Sequence, residues 1–200
     1  MPRRPASSPL EIGELSRVLL HHEAGNDRGR ALLACSWLAN SLGEFLRSRL
    51  IQDRHSLDLL FGNRGALADF QPRIHMAFAV GLITRELRDE LEHIRAIRNE
   101  FAHLRDPVDF TERSVRDRCK NLQIALEFEK ATGETFASAR DRFIFTVGFL
   151  ASLFLKMTEQ RAVPLTTPTI GIRMGEKPFL SKEDLAKTAA IVREFFVKPG

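Results

Sequence analysis

Cysteine is scarce in this chain: only Cys35 and Cys119 occur among 200 residues. Two thiols make neither a disulfide framework nor a four-thiolate zinc site, and they suit a reducing, cytoplasmic setting. Long apolar runs are lacking as well. The most apolar stretch, FIFTVGFLASLFL from Phe143 to Leu155, is shorter than the ~20 residues a bilayer core demands, so no membrane span is expected. The opening MPRRPASSP holds two arginines, but no apolar segment of signal-peptide length follows it. No stretch alternates like a strand over more than four residues, and there is no internal repeat or low-complexity block. Glycine-rich phosphate loops are missing too, because GNRG at Gly62–Gly65 reads as a turn.

An excess of one charge is also missing from the body of the chain. The net charge is +4, yet from Leu10 to Arg161 there are 22 Lys and Arg against 22 Asp and Glu. The excess sits at the ends, in Arg3 and Arg4 and in a tail with six bases and four acids. A dedicated DNA-binding domain concentrates positive charge on one face, since phosphate contacts supply much of its affinity. The closest approach to a helix-turn-helix, Ala39-x3-Gly43, lies in a helical pattern that continues past the glycine. Direct operator reading is therefore not expected. Bases are mostly Arg, 23 against 7 Lys, a choice that suits forked contacts to carboxylate or phosphate.

What is present is helical periodicity. Hydrophobic residues make up 44% and charged residues 28% of the chain, as in ordinary globular domains. Residues 1–9, rich in proline and serine, read as a disordered leader. A short helix around Leu15, Val18 and Leu19 precedes a long one from about Arg28 to Ile51, with Ala31, Cys35, Leu38, Leu42, Phe45 and Leu46 on one face. A turn then leads to a helix carrying Ile74 to Leu82, with Pro72 in its first turn. Thr84 is a candidate N-cap for the next helix, with Glu86 in its first turn. Leu87, Leu91, Ile94, Ile97, Phe101 and Leu104 line that helix, which should stop near Arg105 before Pro107. One further helix is expected up to Gly133. Another covers FASARDRFIFTVGFLASLFLKMTEQ, its middle apolar on every side as in a bundle centre or a subunit interface. Residues 162–200 read as a Pro/Gly-rich linker and a final helix capped at Ser181. The main domain, 10–161, is all-α.

The Leu87–Leu104 helix carries IRAIRNEFAH, Ile94 to His103. With Ile94 at zero on a wheel of ~100° per residue, Arg98 falls at about +40°, inside the edge of the apolar sector. A lone charge there needs a partner or an opening. Asn99 lies near 140° and His103 near 180°, in a polar strip with Arg95 and Glu92. Arg98 and His103 are thus about 140° apart, and a π-bulge or a second copy across a twofold axis would be needed to bring them together. The plainer reading gives Arg98 an acidic partner and leaves His103 on the surface at a helix C-terminus. Glu90-x-x-His93 and Glu100-x-x-His103 match a di-iron element, but they share one helix whereas such a site draws on several. Neither a metal nor an organic cofactor is expected.

The run LFGNRGALADFQPRIHMAFAVGLITRELRDELEHIRAIRNEFAHL, continued through RSVRDRCKNL, resembles the mannitol-operon-repressor family. Its Arg-x4-His helix is also similar to that of the HEPN superfamily. The resemblance covers roughly Leu59 to Leu122. It implies a HEPN-like up-and-down helical bundle with extra terminal helices, one that tends to dimerise. For function it implies a regulator acting mainly through protein partners, or alternatively a metal-independent endoribonuclease. In the latter, Arg98 would steady a phosphate, His103 would act as general acid or base, and Asn99 would orient one or the other. A homodimer would use the apolar edges of the Leu87–Leu104 and Phe143–Leu155 helices, with Arg95, Phe101 and Leu104 on the dimer or partner surface. The partner is then another regulatory protein or RNA.

Overall fold

The computed structural model describes residues 27–103 and 108–159. They form seven helices and no strand: α1 (Asp27–Arg49), α2 (Arg54–Phe61), α3 (Phe70–Ala79), α4 (Arg85–His103), α5 (Arg113–Lys120), α6 (Gln123–Thr132) and α7 (Ala139–Glu159). The fold is all-α. The leader, the helix expected around Leu15–Leu19, Leu104 and the C-terminal linker and helix all lie outside the described residues.

The longest helix–helix interface joins α1 to α7. Its α1 side is the stripe foreseen from spacing, with Ala31, Leu38, Leu42, Phe45 and Leu46 fully buried. On α7 every residue from Phe143 to Ala151 is buried, which a central helix requires and a two-faced one would not. Phenylalanine rings tie the layers together. Phe45 stacks on Phe154 with centroids 5.7 Å apart. Phe110 bridges Phe101 of α4 (4.8 Å) and Phe143 of α7 (5.4 Å). Arg49, 8% exposed, lies over the Phe45 ring, and its Nη2 donates to the Met157 carbonyl, so the side chain packs while one end of its fork reaches the α7 backbone.

Three boundaries depart from the sequence reading. The segment before GNRG is not a plain turn: it holds α2, whose N-cap Asp53 accepts the Ser56 amide at 2.8 Å. With only Leu57 and Phe61 buried, that helix is too short for its period to stand out. Helix α3 ends at Ala79, before Leu82, because Gly81 turns the chain at φ +74°. The single helix expected up to Gly133 is two, α5 and α6, broken at Asn121–Leu122. Gly133 closes α6 with φ +75°, as expected of a left-handed C-cap. Thr84 fills its expected role, its hydroxyl accepting the Leu87 amide at 3.4 Å.

Candidate functional site

Helix α4 is the spine of the site. Leu87, Leu91, Ile94, Ile97 and Phe101 are fully buried. Phe101 is therefore not on a partner surface: its ring is enclosed by Phe110 and the core of its own chain. The apolar stretch Phe143–Leu150 is likewise enclosed within the chain, so these residues offer no edge to a second copy.

The first half of α4 uses its polar groups internally. Glu90, 3% exposed, accepts the amides of Gln123 (3.0 Å) and Ile124 (3.1 Å), capping α6, which has no side-chain cap of its own. Burial pushes its carboxyl above the usual value, and these two amides pull it partly back. His93 Nε2 lies 2.8 Å from the Arg118 carbonyl near the end of α5. From α7, Arg142 reaches the Lys120 carbonyl (3.3 Å) and Glu129 (2.5 Å). These side chains clamp the α5–α6 corner, which explains Glu90-x-x-His93 without a metal. Glu100 pairs with Arg118 at 3.3 Å.

The second half of α4 opens on a cleft of about 380 Å³. Cys35, Ser36, Ala39 and Asn40 of α1 form one wall, Ala68 to Gln71 and Arg73 a second, and Arg95, Arg98 and Asn99 the third. Arg98 Nη1 donates to Asn99 Oδ1 at 3.2 Å. No carboxylate among the described residues is within ion-pair distance of it, so the acidic partner of the plainer reading is not found there. Arg95 Nε donates to Glu92 at 2.8 Å, and Glu92 also meets His75 at 3.3 Å. Asn99 does not stand apart from Arg98; the long guanidinium arm spans the ~100° between successive residues.

Helix α4 is regular from Arg85 to His103, so no π-bulge turns His103 toward Arg98. Its backbone leaves the two positions about 140° apart. Of the expected site residues, the cleft gathers Arg95, Arg98 and Asn99.

The cleft wall depends on residues the sequence reading passed over. Arg73 donates to the carbonyls of Leu67 (2.8 Å), Ala39 (2.8 Å) and Ala68 (2.9 Å), fastening the GNRG loop and the start of α3 to α1. A Cβ on Gly65 would sit 2.1 Å from the Leu60 carbonyl oxygen, so only glycine permits that turn. Cys35, 3% exposed, has its thiol pushed up to about 12 by burial, with the Arg98 charge pulling the other way. Cys119 is likewise pushed up to about 12 by burial, so neither thiol is poised as a nucleophile.

A family model described as MtlR, mannitol repressor, matches residues 39–165. The chain belongs to the mannitol repressor family. The match takes in the end of α1 from Ala39, all of α2 to α7, and the cleft residues other than Cys35 and Ser36. One solved structure, the X-ray structure of the MtlR–HPr complex from Escherichia coli, is similar at a TM-score of 0.57 and 15% identity. The similarity covers 74% of this chain and 98% of that one. At that identity it shows a shared fold. No curated protein matches the sequence. Among the described residues of this mannitol repressor family member, no helix is long and apolar enough to cross a membrane.

Proposed function

We propose that this protein is a negative regulator of the mannitol-repressor kind, working through a protein partner, first of all a protein of the HPr type. The observation that carries the reading is family membership over residues 39–165. It is supported by the fold shared with an MtlR solved as a complex with HPr. The balanced charge from Leu10 to Arg161 agrees with contact to a protein better than with an operator-reading surface. Titration of the full chain with HPr from the same genome tests it by calorimetry. A complex in the micromolar range supports the reading, and no heat at about 100 μM of either protein overturns it.

A second reading, the HEPN-type endoribonuclease, has one observation in its favour: Arg98 and Asn99 are joined in an open cleft. It assigns phosphate stabilisation to Arg98 and proton transfer to His103, with a second copy completing the site. Incubation with single-stranded and transfer RNAs in EDTA decides it. Cleavage lost in both Arg98→Ala and His103→Ala supports a nuclease; cleavage that survives His103→Ala sinks it.

A further inference from the structure

Three arginines border the α1–α3–α4 cleft, and their hydrogen bonds distinguish them. Arg73 has all three kinds of guanidinium nitrogen on backbone carbonyls, so it builds the wall. Arg95 is neutralised by Glu92. Arg98 has a neutral amide as its hydrogen-bond partner. Its fork is a charge held half-buried with its other donors open to the cleft, and such a group binds oxyanions in two-pronged geometry.

The surroundings add to this. The start of α3 opens on the same space through Phe70 and Gln71 but carries the Asp69 carboxylate at its N-cap, so an anion is held on the Arg98 side of the cleft. Around the rim stand Asn40, Gln71 and Asn99, each with an amide that both donates and accepts, as hydroxyl groups require. Ser36 donates to the Leu32 carbonyl, leaving its oxygen lone pairs toward solvent. Ala39, Ala68 and Phe70 supply a small apolar floor. The volume of about 380 Å³ is that of a small-molecule site. One open fork is also too little positive charge to track a polynucleotide backbone.

We propose that this cleft binds a small phosphorylated polyol or sugar, with Arg98 holding the phosphate and Asn40, Gln71 and Asn99 holding hydroxyls. The site goes beyond the partner reading and does not depend on it. It would let the protein sense a phosphorylated metabolite directly, whatever it binds elsewhere.

Calorimetry on the full chain tests this with a hexitol phosphate, inorganic phosphate, the unphosphorylated hexitol, a hexonate and a short single-stranded RNA. The hexitol phosphate is expected to bind most tightly, inorganic phosphate more weakly, and the unphosphorylated hexitol not measurably. Arg98→Gln should weaken hexitol phosphate binding by about tenfold or more, through loss of a charge-assisted fork. Asn40→Ala, on an exposed position, should weaken it about threefold. Both should keep the wild-type helical signal, melting temperature and HPr titration. No binding of either phosphate, full binding by both variants, equal affinity for the hexonate, or displacement of the sugar phosphate by RNA would each overturn the proposal.

Discussion

Glu90 and Arg98 make an instructive pair. They stand two turns apart on α4, about 40° to either side of its apolar centre, and each places a charge at the edge of the core. Glu90 is enclosed, with both oxygens on the first amides of α6. Arg98 meets a neutral amide and an open cleft. The same breach of the hydrophobic pattern thus has two outcomes. A charge whose hydrogen-bonding capacity is filled by backbone holds the fold together. One whose capacity is left over is available to something else.

The sharpest way to break this comparison is Glu90→Ala. It leaves one buried and one part-buried amide without an acceptor, and the expected loss is roughly 2–4 kcal/mol. Urea unfolding measures it, and a loss near zero would mean that the α5–α6 corner does not need the clamp. His93→Ala, which removes a single bond to the Arg118 carbonyl, should cost about 1 kcal/mol in the same assay. For Arg98→Ala the expected loss is below about 1 kcal/mol. A loss as large as that of Glu90→Ala would make Arg98 a structural residue and erase the distinction between the two halves.

The smallest effect is one of pH. Because burial raises the Glu90 carboxyl, the folded state holds its proton more tightly than the unfolded chain does. That contribution to stability is complete below the unfolded value near 4.5 and is lost as pH rises through the folded value. Glu90→Gln has no such loss, so the stability difference should shift in favour of the variant as pH is raised toward neutrality. A difference that stays constant over that range would place the carboxyl in water.

Legibility in the sequence followed the length and regularity of each element. Helix α1 with its six inward positions, α4 with its Thr84 cap, and α7 with its all-round apolar middle were each evident, since many residues repeat one period. Helix α2 was not, because Leu57 and Phe61 alone cannot establish one. The α5–α6 break escaped for a different reason. Asn121–Leu122 carries neither proline nor glycine, and the corner is held by Glu90, His93 and Arg142, which are distant in sequence. At the site, Arg98 drew notice by its place on the wheel. Glu90 sits in the same sector on the opposite side and could have been found by the same test. Arg73 had no such signal, since its three acceptors are carbonyls that only the folded chain brings together.

By itself, then, the order of residues determined the helices, their buried faces and the anomaly at Arg98, because these follow from periodicity and local backbone chemistry. Only the tertiary structure decided which polar groups find partners. Hydrogen bonds of Glu90 and Arg73 depend on Ile124 and Ala39, each 34 residues away, and the opening beside Arg98 is a cleft no single helix can form. Short range in space without short range in sequence is what separates a clamp from an open site.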